Sequence, residues 1–118
     1  MNVRRGDVVL VVYPFASGRG ASRRPALVVQ NNRDNARLDN TIIAQITTTM
    51  RHGNDPTQLL IPRDTPEGQQ ASLLHDSVVS CNNLATVHED RIHRVIGHLP
   101  EAVMFRIDEC LKAALGLR

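Results

Sequence analysis

Six consecutive apolar residues, Val8 to Tyr13, four of them valine, constrain this chain more than any other stretch. The run is too short for a stable helix and rich in β-branched side chains, so it reads as a strand. With no polar residue in alternation, both of its faces need cover, and it must lie centrally in a sheet. Arg4-Arg5-Gly6-Asp7 is its polar entry and Pro14 closes it.

The rest of the chain supplies partners for such a strand. Ser17-Gly18-Arg19-Gly20-Ala21-Ser22 has no periodicity and reads as a mobile loop leading to Arg23-Arg24-Pro25. Pro25 holds Arg24 in extended backbone. The apolar run Ala26-Leu27-Val28-Val29 is a second strand, ending at Gln30-Asn31. Asn32–Arg37 is polar and predicts one short helical turn. Thr41–Thr49 is a third strand whose end carries Thr47, Thr48 and Thr49. Asp55-Pro56 marks a turn, and Thr57–Ile61 a fourth strand. Pro62–Gln70 reads as a connection, and Asp76–Cys81 as a fifth strand with a short extension through Val87. His88–Ile92 predicts a helical turn. From Pro100 to Leu115, Val103, Ile107, Cys110, Leu111 and Ala114 recur with helical spacing and Gly116 follows, which predicts a terminal helix. The expected fold is mostly β: a small, mostly antiparallel barrel with one C-terminal helix packed against it.

At 118 residues the chain is read as a single domain, residues 1–118, that buries roughly two thirds of its unfolded surface. No apolar run approaches the ~18 residues of a membrane span. The expectation is a soluble, cytoplasmic protein with no membrane partner. Cys81 and Cys110 have no metal-ligand spacing and are expected to be reduced core residues. Net charge is only +2, but residues 1–37 carry seven Arg against two Asp, whereas residues 38–90 carry two Arg against seven acids. That asymmetry allows a local basic patch. Thirteen of the fourteen cations are Arg, which suits bidentate phosphate contact. The three aromatics, Tyr13, Phe15 and Phe105, cannot build a base-stacking platform.

Several chemistries lack their residues. Gly18-Arg19-Gly20 has neither the Lys nor the strand–helix context of a P-loop. The histidines 52, 75, 88, 93 and 98 show no metal spacing and read mostly as polar surface residues, with a histidine acting as acid or base in the manner of RNase A as the other reading; no cofactor is expected. No serine sits in a nucleophile elbow. What remains is Arg24 with the Thr47 strand end. If the second and third strands are antiparallel neighbours, those two ends meet. A guanidinium and a hydroxyl suit metal-free transphosphorylation, neutralising charge on phosphate oxygens as an RNA 2′-hydroxyl attacks phosphorus. A solvated arginine beside a satisfied strand-end threonine is the other reading of the same residues.

Arg5-Gly6-Asp7-Val8, Arg24 through Asn31, Ile46-Thr47, Asp76-Ser77-Val78-Val79 and the closing Met104…Leu115-Gly116-Leu117 resemble, in order and spacing, the MazF/PemK family of toxin endoribonucleases. The resemblance implies a CcdB/PemK-type, SH3-like barrel that forms a homodimer. It implies sequence-selective, metal-free cleavage of single-stranded RNA (mRNA, with rRNA or tRNA as further candidates), leaving 2′,3′-cyclic phosphate and 5′-hydroxyl ends. A MazE-like cognate antitoxin would thread an acidic tail into the RNA groove. By motif match, Arg24 and Thr47 are the catalytic pair, and Ser17, Gly18 and Gly20 belong to the loop that gates it. Arg19, Arg23, Thr48, Ser80, Asn82 and Asn83 are the expected RNA contacts. The chain departs from the family pattern at Arg19-Gly20-Ala21, where relatives carry an acid and Gln, and at Asn82-Asn83-Leu84-Ala85. A CcdB-like gyrase poison without nuclease activity, or an inactive antitoxin-binding homologue, would share the barrel.

Overall fold

The computed structural model describes residues 1–12 and 23–118. The elements are β1 (Asp7–Val12), β2 (Arg23–Val28), α1 (Asn32–Arg37), β3 (Asn40–Thr47), β4 (Gln58–Ile61), α2 (Pro66–Gln70), β5 (Ser77–His88), a 3₁₀ turn (Glu89–Arg91), β6 (Ile92–His98) and α3 (Glu101–Leu115). The strands form one sheet in the order β4-β5-β3-β2-β1-β6, with every neighbouring pair antiparallel. The mostly-β class with a C-terminal helix is as expected. The barrel, however, does not close by hydrogen bonds, because the edge strands β4 and β6 do not pair.

The seam between those edges is filled instead by the segment that follows β4. Ser72 Oγ donates to the Ile96 carbonyl on β6. Gly97 lies so close beneath that a Cβ there would run into the Gln70 carbonyl and Ala71 backbone. Glycine is the residue that permits this approach. The connection expected over Pro62–Gln70 thus contains a helix, capped by Thr65, whose side chain accepts from the Gly68 N–H. Strand β6 is the element absent from the sequence reading. Its pairing with β1 skips Ile96 and His93, two bulges that break the alternation a strand is recognised by.

Both faces of the sheet are buried, as the unbroken valine run requires. On one face, called here the helix face, Val8, Leu27, Ala44, Ile46 and Val79 meet Val103, Met104, Ile107 and Cys110 of α3. On the far face Val9, Val11, Ala26, Val28 and Ile43 form a second cluster with Val3 and Val87. Each strand therefore alternates between two apolar interiors, and a one-residue slip would exchange them. The expected helix stripe is in place, and Gly116 ends α3 in left-handed backbone (φ 69°). Arg5 ties the same helix down, donating Nε to the Val29 carbonyl at 2.9 Å and pairing with Asp108.

Cys81 and Cys110 are both free and buried in the helix-face core. Burial pushes the Cys81 thiol up to about 12, from 9.0. The unfolded chain then releases this proton near pH 9 while the folded chain keeps it, so the contribution to stability is full below pH 9 and fades as pH rises towards 12. The expected outcome is that a thiol-specific chromogenic reagent at pH 8 leaves Cys81 untouched in the native protein and modifies it in urea. Ready labelling without denaturant would contradict this burial. Ile107 is fully buried, and Ile107→Ala is expected to cost about 2–5 kcal/mol in urea unfolding. A loss well under ~1 kcal/mol would mean that α3 is not what completes the core.

Candidate active site

The site grows out of one ladder. Strands β2 and β3 pair Ala26 with Gln45, Leu27 with Ala44 and Val28 with Ile43. The ladder ends at Ala26–Gln45; Arg24 and Thr47 lie two residues beyond it, where continuing the same register would set them opposite one another. Alternation puts Arg24 in phase with Ala26 and Val28, and Thr47 in phase with Ile43, so both side chains belong to the far face. Arg24 is exposed; on its other side it pairs with the buried Val11 of β1. A charged head in water thus rises from a strand that β1 flanks at this position.

Thr47 is oriented by its own backbone. Its Oγ1 accepts the Thr49 N–H at 3.1 Å. That bond uses one lone pair and leaves the hydroxyl hydrogen to donate elsewhere. The residues after it turn back over the same face: Gly53 lies against Val78, the cross-strand partner of Thr47. Within this loop Arg51 Nε donates to His52 Nε2 at 3.3 Å, and His52 Nδ1 stands 3.3 Å from Asp55 Oδ2.

The far face continues along β5. Gln45 pairs with Ser80, which pairs in turn with Gln58 of β4. Between Ser80 and Leu84 the β5 backbone bulges out of register with β3, carrying Asn82 and Asn83 to the surface. Ser80 is buried, and its Oγ accepts from Gln58 Nε2 (3.1 Å) and Asn83 Nδ2 (2.8 Å). Asn82 Nδ2 donates to Thr57 Oγ1 at 2.8 Å. Ser80 is therefore placed to hold the amides beside it, while Asn82 and Asn83 are the exposed members of that trio.

The structure separates two further expected contacts from this group. Thr48, with Pro25 and Ser77, lines a cavity of about 180 Å³ whose walls include Leu10, Leu74 and His75. Pro25 and Ser77 alternate to the helix face, so this cavity lies behind the Arg24–Thr47 pair. Arg23 Nη1 lies 3.2 Å from Nε2 of His93, the extra residue of a β6 bulge, so Arg23 reaches across β1 and away from Thr47. Arg19 and the loop residues Ser17, Gly18 and Gly20 lie outside the described residues.

Gln45, Gln58, Arg51 and Asp55 lie near this group without having been anticipated, and the sequence offers His52 only as one of five histidines that could serve as an acid or base. For His52 the signal was available, an acid three residues downstream in a turn sequence; for Gln45 and Gln58 it was register, which a sequence does not display. One group of ligand-type side chains among the described residues, Asp39, His88 and Glu89, converges at the surface. It sits at the opposite end of β3 from Thr47.

A family model described as the PemK-like, MazF-like toxin of type II toxin–antitoxin systems matches residues 4–115. The chain belongs to this family. It is 30% identical over 118 residues to the endoribonuclease EndoA of Bacillus subtilis (strain 168), covering 99% of this chain and 97% of that protein. Among solved structures it is similar to an endoribonuclease from a mycobacterial species, with a TM-score of 0.76 at 26% identity over 99% of this chain and 94% of the other. A mycobacterial endoribonuclease in complex with its cognate antitoxin gives 0.76 at 28% identity, with coverage of 98% and 97%. For a MazF/PemK-family chain the polar far face is the surface to interrogate. Substituting Ser80→Ala is expected to release Gln58 and Asn83, visible as faster side-chain amide exchange by NMR, with the core signals unmoved. Unchanged amide signals would detach Ser80 from the site.

Proposed function

We propose that this chain is a metal-free endoribonuclease toxin that cleaves single-stranded RNA. The 2′-oxygen attacks the adjacent phosphorus, leaving a 2′,3′-cyclic phosphate and a 5′-hydroxyl. The observation that supports the reading is the β2–β3 register: continued past Ala26–Gln45 it brings Arg24 opposite Thr47, whose hydroxyl already accepts a backbone N–H. Negative charge grows on the non-bridging oxygens during attack. A guanidinium and a preset hydroxyl donor match that charge, and such donors are worth ~10²–10³ each in rate. In this reading Arg24 supplies the charge neutralisation that a metal ion provides in other nucleases.

The exposed Asn82 and Asn83, together with Arg23 and Arg19, contact the RNA. The apolar cavity behind Pro25, lined in part by Thr48 and Ser77, receives a base as the strand passes over the end of the sheet. Ser17, Gly18 and Gly20 gate the entrance. The protein works in the cytoplasm as a homodimer and is silenced by a cognate MazE-like antitoxin occupying the same groove; the solved relative that is bound to its own antitoxin supports this partner.

The test is incubation of the purified protein with a mixed RNA pool in EDTA. Cleavage is expected to persist, to stop at 2′-deoxy positions, and to fall by at least ~10²-fold in Arg24→Ala with the fold intact by circular dichroism. Intact RNA with trapped gyrase–DNA complexes would replace the reading with a gyrase poison. Intact RNA with retained antitoxin binding would make the chain an inactive homologue.

A further inference from the structure

An arginine and a threonine leave one role in this reaction unfilled. Neither takes the 2′-hydroxyl proton readily, since a guanidinium does not deprotonate in proteins. We propose that His52 is the general base, with Asp55 as the positioning residue that fixes its tautomer. This rests on the ribonuclease reading given above.

The loop that carries His52 lies on the same face as Arg24 and Thr47. A Cβ added to Gly53 would lie 3.6 Å from the Val78 side chain, and Val78 is the cross-strand partner of Thr47, one antiparallel spacing of ~5 Å away. The loop also begins at the backbone N–H that orients the Thr47 hydroxyl. His52 is thus one residue from a contact that adjoins the candidate phosphate site. Its ring is already set for the task. Asp55 Oδ2 lies 3.3 Å from Nδ1, and Nε2 accepts from Arg51 Nε, so the ring proton sits on Nδ1 and the basic lone pair on Nε2. This is the tautomer a base needs, and a carboxylate faces the protonated nitrogen, as in other enzymes' bases.

Arg51 caps that lone pair in the free protein. A guanidinium prefers a phosphate to a neutral imidazole, so an RNA phosphate arriving on this face draws Arg51 away and uncaps Nε2. The 2′-hydroxyl proton then passes to Nε2 as the 2′-oxygen bonds to phosphorus. The P–O5′ bond breaks, the 5′-oxygen takes a proton from water, and the hydroxide so formed removes the proton from Nε2, restoring the neutral ring. Among the described residues the charged groups against the ring are Asp55 and Arg51 of its own loop, and by strand alternation Arg24 belongs to the same face of the sheet.

Single-turnover cleavage of a mixed RNA pool in EDTA, followed across about pH 5 to 9, tests this. The wild-type rate is expected to rise through one ionisation on the acid side. In His52→Gln that limb should vanish and the rate should fall ~10²–10⁴-fold. Asp55→Asn should lower the rate less and keep a single limb. Added imidazole should restore part of the activity of His52→Ala. His52 is exposed, so these variants are expected to fold, and circular dichroism checks it. Should His52→Gln cleave within roughly threefold of wild type, with the same pH profile, while Arg24→Ala is inactive, the assignment to His52 is wrong and the ribonuclease reading stands. Intact RNA with the wild-type protein would overturn both.

Discussion

Everything that bears on chemistry here depends on the antiparallel register of β2 on β3. That register is held by burial on two sides. Leu27 and Ala44 point into the core beneath α3, and Val28 and Ile43 point into the core beneath the N-terminal segment. Slipping either strand by one residue would put Arg24 and Thr47 on opposite faces and exchange the two interiors at the same time. Two separate apolar clusters therefore protect one polar juxtaposition. The site needs few residues of its own because the sheet supplies the precision.

The same arrangement explains why the polar residues form a strip. Along the far face, in step with Arg24 and Thr47, alternation brings Gln45, Ser80 and Gln58 into line. The β5 bulge then lifts Asn82 and Asn83 out of the ladder. A bulge bends a strand and re-aims its side chains at the cost of some ladder hydrogen bonds. Here the loss is offset locally: the Cys81 N–H donates to the Thr57 carbonyl, and the Asn82 and Asn83 side chains bond to Thr57 and Ser80. Among the described residues no buried side-chain polar atom is left without a partner.

Sequence reasoning located what periodicity and local chemistry encode. The valine run of β1, the apolar body of β3, and the stripe and glycine stop of α3 were readable from residue types and their order, as was the antiparallel neighbourhood of β2 and β3 that the Arg24–Thr47 reading needs. β6 was not, because Ile96 and His93 are bulge residues that scramble its alternation. Nor was α2 legible: five residues starting at Pro66 and containing Gly68 look like a connection until β6 is there to receive them. Thr48 and Arg23 were grouped with Arg24 by proximity along the chain. Alternation and the reach of a long side chain sent Thr48 to the helix-face cavity and Arg23 to His93. Adjacent residues on a strand are neighbours in sequence and strangers in space.

The central claim is that Arg24 and Thr47 act as one unit on one phosphate. A double-mutant cycle on single-turnover RNA cleavage, using Arg24→Ala, Thr47→Val and the double variant, tests it directly. If the unit exists, the double variant should be scarcely slower than the worse single variant, since either change already dismantles the shared phosphate site. Losses that multiply independently would mean the two side chains serve separate steps, and the juxtaposition created by the β2–β3 register would not be the origin of the activity.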